Sequence, residues 1–183
     1  FRIITNDGEI DTELVGSLLN TSEEWELPKV GDWVVYTSYG DRGYITGVLE
    51  RQSELSRKKP GKRMEKQVLA TNIDAAMVVL SIDQGLNPMR LQRYLHQLFQ
   101  NQIEVIVLLN KSDLAENPAN YQKHVDDLGY QVPVMCISTV SHVGLRELEG
   151  LHMKAGKTYV LLGQSGVGKS TLYNYLTGVN THS

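Results

Sequence analysis

The residues with the clearest chemical potential form a glycine-rich run near the end of the sequence. The run is Gly163-Gln164-Ser165-Gly166-Val167-Gly168-Lys169-Ser170-Thr171. It satisfies the P-loop pattern, in which glycines let the backbone fold around phosphate oxygens while amide hydrogens and a helix N-terminus point at them. Lys169 would reach the β and γ phosphates of a nucleotide, and the Ser170 hydroxyl is the expected Mg²⁺ ligand. The alternative interpretation is a glycine-rich turn that holds no ligand.

A second motif, Asn110-Lys111-Ser112-Asp113, predicts which base is bound. The Asp113 carboxylate can accept hydrogen bonds from both N1 and the exocyclic amino group of guanine, a pattern that adenine does not offer. Asn110 can tie this loop to the P-loop or to the base edge, and the Lys111 stem can lie over the ring. Asn-Lys-x-Asp is by itself a common turn sequence, but its pairing with a P-loop favours a guanine nucleotide.

A third loop, residues 138–145, follows another apolar run. Ser138 and Thr139 stand where GTPases commonly place a Ser-Ala pair with a backbone amide turned to the guanine oxygen. Thr139 departs from that pattern, although a backbone donor survives a change of side chain. The alternative is an ordinary turn between a strand and a helix.

Two kinds of secondary structure position these loops. Short strands separated by turn signals are predicted at 1–5, 32–38 and 44–49, which favours a small β-barrel of the oligonucleotide-binding type; an SH3-like barrel would give a similar pattern. Nearly continuous apolar runs at 75–82, 104–109, 132–137 and 158–162 alternate with predicted helices at 89–100, 120–128, 145–151 and 170–176. That alternation indicates βαβ units around a mainly parallel sheet. We therefore expect a β domain at 1–66 and an α/β domain at 67–183.

The composition fits a globular chain that stays in the cytoplasm. Its 183 residues include 41% hydrophobic and 21% charged residues, and no apolar run approaches the roughly 20 residues of a membrane-spanning helix. The single cysteine, Cys136, excludes a disulfide framework and indicates a reducing compartment. No histidine pairs occur at metal-ligand spacing, so we expect no zinc site within this chain.

Charge is distributed unevenly, although the net charge is only -3. Residues 1–50 are acidic, whereas residues 51–66 are predicted to form a basic loop or linker. The basic residues of that segment are Arg51, Arg57, Lys58, Lys59, Lys62, Arg63 and Lys66. Beside a candidate nucleic-acid barrel, these cations favour contact with phosphates; a solvated linker is the alternative. The barrel's aromatic residues, Trp33, Tyr36, Tyr39 and Tyr44, would stack on bases if exposed and otherwise belong to the core.

The order of the motifs is unusual, because the guanine loop at 110–113 and the loop at 138–145 precede the P-loop. Ordinary GTPases have the reverse order. A circular permutation explains the difference, since it preserves spatial neighbours and needs only surface termini.

With this order, the sequence resembles the circularly permuted ribosome-small-subunit-dependent GTPase A family over nearly its whole length. Besides the two nucleotide motifs, the likeness includes Val30-Gly31-Asp32-Trp33-Val34, Arg51-Gln52-Ser53-Glu54-Leu55, Gln67-Val68-Leu69-Ala70-Thr71-Asn72-Ile73-Asp74 and Leu91-Gln92-Arg93-Tyr94-Leu95. The resemblance implies an oligonucleotide-binding barrel for ribosomal RNA and a permuted GTPase domain that binds GTP or GDP with Mg²⁺. It also implies GTP hydrolysis stimulated by the small ribosomal subunit and a role in late maturation of that subunit.

The sequence also departs from the family pattern. Family members continue past the P-loop helix into two switch regions and a zinc-binding domain, whereas this chain begins at Phe1 and stops at Ser183. We therefore expect this chain to be a stretch of a longer protein and to be a monomer. We also expect it to lack the switch regions needed for turnover, so the catalytic groups remain unknown. Two other functions stay open: an RNA-binding module that holds GTP or GDP without turnover, and an ATP-using P-loop enzyme.

Overall fold

The chain folds into two compact units, which comprise Phe1–Asn72 and Ile73–Ser183. The structure, a computed structural model, describes residues 1–21, 23–40, 42–58 and 66–179. The units divide after Asn72, whereas the boundary expected from the sequence is near residue 66. The reason is that the strand Lys66–Thr71 pairs with the strand Glu54–Lys58 and so belongs to the first unit.

The first unit consists mainly of strands. Its elements are β1 (Arg2–Thr5), β2 (Gly8–Leu14), α1 (Gly16–Thr21), β3 (Val34–Tyr39), β4 (Arg42–Val48), β5 (Glu54–Lys58) and β6 (Lys66–Thr71). Four strands form a sheet in the order β1-β2-β4-β3, in which β2 and β4 run parallel and the other neighbours antiparallel. β5 and β6 form a separate antiparallel pair. Within the described residues no ladder joins these two sheets, so the expected closed barrel is not confirmed.

The prediction of a basic loop at 51–66 is partly wrong, because Glu54–Lys58 is a strand and Lys66 begins the next strand. Burial of Leu55 explains the pairing: its side chain is almost fully enclosed, and the residue faces Ala70 across the ladder. The basic residues at 59–65 lie outside the described residues.

Two segments of the first unit that carry the family resemblance, 30–34 and 51–55, meet at a partly buried ion pair. The Asp32 carboxylate accepts hydrogen bonds from Nε and Nη2 of Arg51 at 2.9 and 2.8 Å. The same guanidinium donates to the carbonyls of Trp25 and Leu27. Because the Asp32 side chain is only 1% exposed, its charge depends on these partners.

The second unit is built around a parallel sheet. Its elements are β7 (Ala75–Ser81), α2 (Pro88–Gln100), β8 (Glu104–Asn110), α3 (Pro118–Asp126), β9 (Val134–Cys136), α4 (Leu145–His152), β10 (Tyr159–Leu162) and α5 (Lys169–Thr177), with 3-10 turns at Ile82–Gln84 and Ser112–Leu114. The strand order is β10-β7-β8-β9, and every pair is parallel. All seven residues of β7 are buried, as expected for a strand covered on both faces. The predicted parallel sheet is confirmed.

The strand order creates a switch point between β7 and β10. The chain adds β8 and β9 on one side of β7, then returns to the other side with β10. In open α/β sheets, ligands bind outside the carboxyl ends of the strands at such a reversal. Val167 and Leu172 bury their side chains in the core cluster beneath it, which fixes the start of α5 against the sheet. No helix in the described ranges is long and apolar enough to cross a membrane.

Candidate nucleotide-binding site

The predicted site residues lie in three loops that follow β8, β9 and β10. Because these strands are parallel, their carboxyl ends meet at one edge of the sheet. The structure thus brings together 110–113, 138–145 and 163–171, which are separated widely in the sequence.

Tight backbone packing shapes the P-loop. A Cβ atom on Gly163 would overlap the Val79 carbonyl oxygen, so only glycine permits this loop to leave β10 so close to β7. Gly168 precedes α5 with φ of 98° and offers no side chain to cap the helix. The first-turn amides of α5 therefore remain available to an anion.

Lys169 lies inside this loop. Its ammonium donates to the carbonyls of Gly163 and Gln164 at 2.9 and 2.5 Å. Ser170 and Thr171 are exposed on the first turn of α5. The loop thus combines a cation, first-turn helix amides and an exposed hydroxyl within a few residues, which is the donor set that polyphosphate and its Mg²⁺ require.

Asn110 joins all three loops. Its side chain is fully buried. Nδ2 donates to the Val167 carbonyl at 2.8 Å and to Thr139 Oγ1 at 3.4 Å. Oδ1 accepts from the Thr139 amide at 3.1 Å. A Cβ on Gly168 would overlap Asn110 Nδ2. Of the two roles that the sequence leaves open for Asn110, the structure shows the link to the P-loop.

The loop after β9 differs in one respect from the expected arrangement. The Thr139 amide, which stands where a donor to the guanine oxygen was expected, donates instead to Asn110. The buried Ser138 hydroxyl accepts from the amides of Val140 and Ser141 at 3.3 and 3.0 Å. Ser138 and Thr139 therefore shape the loop and hold it against the neighbouring loop.

The loop 110–113, called the base loop from here on because it is predicted to bind the base, presents one carboxylate to solvent. Ser112 is buried and its amide donates to the Ile137 carbonyl at 3.0 Å, whereas Asp113 is exposed on the 3-10 turn that follows. Lys111 adopts the left-handed conformation, with φ of 61°. Its ammonium donates to Asp83 Oδ2 at 2.8 Å. The hydrogen bonds from Lys111 and from the Ser81 hydroxyl hold the pKa of Asp83 below its usual value.

Two residues at this edge, Asp83 and Gln84, are not predicted as site residues from the sequence. Asp83 and Gln84 lie in the 3-10 turn after β7, and Gln84 Nε2 donates to the Ser165 carbonyl of the P-loop at 3.4 Å. Their position directly after the first apolar strand is the feature that could have revealed them.

Within the described ranges, no group of three or more His, Cys, Asp or Glu side chains could hold a metal ion. This finding is compatible with Mg²⁺ at Ser170, because P-loop Mg²⁺ is held largely by phosphate oxygens and water.

Comparisons with known proteins identify relatives of this chain. The chain is 37% identical over 184 residues to the small ribosomal subunit biogenesis GTPase RsgA of Syntrophotalea carbinolica, covering 96% of this chain and 50% of the relative. It is 39% identical over 153 residues to the protein of the same name from Methanosarcina acetivorans, covering 82% of this chain and 41% of the relative. The chain thus spans about half the length of the curated relatives that it matches, or less.

The fold has a counterpart among solved structures. The crystal structure of YjeQ from Thermotoga maritima superimposes with a TM-score of 0.72 and 24% identity, covering 97% of this chain and 60% of that one. The model of the RsgA GTPase family matches residues 48–183, more than half of the sequence. The chain therefore belongs to the RsgA GTPase family.

Proposed function

We propose that this chain contains the nucleotide-binding part of a GTPase that acts in maturation of the small ribosomal subunit. The observation that carries the proposal is the Asn110 link, which holds the loop bearing the exposed Asp113 carboxylate beside the P-loop. One ligand that carries guanine at one end and phosphates at the other would satisfy both loops. The names of the relatives from S. carbinolica and M. acetivorans supply the connection to the small subunit.

Each loop has a distinct task in this proposal. Asp113 accepts the two donors of the guanine edge, and the stem of Lys111 covers the ring. The Lys169 ammonium exchanges its carbonyl partners at Gly163 and Gln164 for oxygens of the β and γ phosphates. Ser170 contributes its hydroxyl to Mg²⁺, which would neutralise charge as the γ-phosphoryl group passes to water.

The first unit is proposed to bind ribosomal RNA as an oligonucleotide-binding module. Trp33 and Tyr39, at 70% and 71% exposed, present aromatic faces to solvent, whereas Tyr36 and Tyr44 are half-buried. Exposed aromatic faces suit stacking on unpaired bases, and the basic residues at 57–63 suit contact with phosphates. We further propose that the protein acts as a monomer in the cytoplasm, where ribosomal subunits mature.

Calorimetric titration with GDP, GTP and ATP tests the nucleotide assignment. Guanine nucleotides should bind, and ATP should bind at least tenfold more weakly, because adenine leaves the Asp113 carboxylate without its two donors. ATP binding equal to GTP binding would reject the assignment. Phosphate release from GTP, measured with and without small ribosomal subunits, then tests turnover.

A further inference from the structure

The 3-10 turn Ile82–Gln84 contacts two of the nucleotide loops through its side chains. Gln84 reaches the P-loop at the Ser165 carbonyl, and Asp83 reaches the base loop at Lys111. The turn follows β7, the strand that lies between β8 and β10. It therefore links these two loops through the side chains of Asp83 and Gln84.

The Asp83 carboxylate is itself held by a hydrogen bond from the end of β7. The Ser81 hydroxyl donates to Asp83 Oδ1, and Ser81, at the end of β7, lies opposite Asn110 in the parallel ladder. The other carboxylate oxygen, Oδ2, accepts from Lys111 Nζ at 2.8 Å. A continuous chain of contacts thus runs from the buried sheet through Asp83 to the ammonium of Lys111.

Restraint of the Lys111 side chain would favour ligand binding. A lysine side chain has four rotatable bonds, and ordering it on a ligand costs conformational entropy. The left-handed backbone at Lys111 sets the direction of its Cβ but leaves the rest of the stem undefined. An ion pair at the ammonium restrains the far end, so the stem is ordered before a ligand arrives.

We propose that Asp83 is a positioning residue for the base site: it anchors the Lys111 ammonium so that the lysine stem is already arranged to cover the guanine ring. This inference rests on the proposed function. Asp83 does not touch the nucleotide, and it acts only through Lys111. Both side chains are partly exposed, at 37% for Asp83 and 28% for Lys111, so the contribution is that of a solvent-screened pair.

A double-mutant cycle on GDP affinity tests the proposal. Asp83→Ala should raise the dissociation constant for GDP about two- to fivefold, the range expected for a screened ion pair. In a Lys111→Ala background the same substitution should have no further effect, because its route to the nucleotide is already removed. Asp83→Asn, which keeps the shape and the oxygen facing Ser81, provides a second variant and should give a smaller loss.

Asp74→Ala is the matched control. Asp74 lies next to the opposite end of β7 and pairs with Lys157 at 2.6 Å, and its carboxylate also accepts from the Thr158 amide. Its loss should lower thermal stability and leave GDP affinity unchanged. That result would separate positioning of Lys111 from general loosening of the sheet.

The outcomes are distinguishable. If wild-type protein binds no guanine nucleotide, the proposed function fails and this inference falls with it. If wild-type protein binds GDP and Asp83→Ala binds it equally well or more tightly, Asp83 has no positioning role and the proposed function stands. An equal loss in the presence and absence of Lys111 would likewise overturn the role assigned here.

Discussion

Asn110 Nδ2 and the Val167 carbonyl oxygen form a 2.8 Å hydrogen bond between residues 57 positions apart. The bond joins the base loop to the P-loop, and both partners are buried. A buried polar side chain is costly unless it is paired, so the Asn110 amide resists any arrangement of the loops that would separate it from Val167 and Thr139.

Gly168→Ala should damage this link. A Cβ at this position would overlap Asn110 Nδ2, and φ of 98° is unfavourable for any side chain. We expect a loss of roughly 1–3 kcal/mol in stability and at least a tenfold loss of GDP affinity. Calorimetry and thermal unfolding would measure the two effects.

Gly150→Ala serves as its control. Gly150 is exposed in α4 and a Cβ there would meet no atom within 4 Å, so the change should leave binding intact and raise helix stability by about 0.5–1 kcal/mol. Normal GDP binding by Gly168→Ala would show that the two loops do not depend on this close approach.

Asp113→Asn should change the base that is preferred. An amide cannot accept from both guanine donors, and a loss of roughly 1–3 kcal/mol in GTP binding follows from the unpaired group. Xanthine offers an acceptor where guanine carries its amino group, so binding of the xanthine nucleotide should improve. Competition titrations with GTP and XTP measure both effects, and unchanged GTP affinity without a gain for XTP would contradict the role of Asp113.

The Asp32–Arg51 ion pair should make stability of the first unit depend on pH. Burial alone raises the pKa of Asp32, but hydrogen bonds from Arg51 and from the Lys29 amide outweigh it and hold the pKa below its ordinary value of 3.8. A lowered folded-state pKa stabilises the fold above the unfolded value, and that contribution is lost as pH falls through the folded value. Asp32→Asn should therefore cost about 1–3 kcal/mol at pH 7, with the difference from wild type shrinking below about pH 4.

Urea denaturation followed by tryptophan fluorescence suits this measurement, because both tryptophans, Trp25 and Trp33, belong to the first unit. Asp11→Asn is the control. Asp11 is 84% exposed beside Arg2, so its replacement should change stability by no more than about 0.5 kcal/mol. A pH-independent difference for Asp32→Asn would show that the charge of Asp32 is not what stabilises the fold.

The basic segment should contribute to subunit binding. Replacing Lys58, Lys59, Lys62 and Arg63 with alanine should weaken binding to small ribosomal subunits while nucleotide affinity stays the same. Each lost phosphate contact should reduce the logarithmic salt slope by roughly 0.7–0.9. Sedimentation binding at several salt concentrations measures the slope.

The control removes the same charge elsewhere in the chain. Arg93, Lys123, Arg146 and Lys154 are exposed on the second unit, and their replacement with alanine should alter the salt slope less. Equal effects of the two sets would mean that net charge, rather than the basic segment, governs the interaction.

The parallel sheet was predictable because strands covered on both faces are apolar at nearly every position, as in β7 and β8. The P-loop and the base loop were predictable because their chemistry requires residue types at fixed spacing. The turn signals predict no strand at β2, because Asp and, to a lesser degree, Glu are depleted in strands. Ile10, Thr12 and Leu14 nevertheless alternate with acidic residues along it. Period-two alternation was the signal available there.

The rest of the site depends on contacts that no local pattern encodes. Asp83 meets Lys111 across 28 positions, and the Thr139 amide meets Asn110 across 29. Neither pairing follows from residue spacing, because each arises only once the strands have been ordered in the sheet. The loop predicted where β5 and β6 pair has a similar explanation. Basic side chains are prominent in this segment, and the burial of Leu55 in β5 arises only once the two strands are paired.

The position of β10 beside β7 has a consequence for how the protein is made. The bond from the Thr158 amide to the Asp74 carboxylate, at the start of this pairing, spans 84 positions. Because β10 follows β8 and β9 in the sequence, the strand that leads into the P-loop joins the sheet only after both have been synthesised. Such a long-range closure is entropically expensive and slow compared with local pairing. Nucleotide bound at the P-loop would stabilise the closed state by mass action. The cellular guanine nucleotide pool would then act as a folding cofactor for the nascent chain.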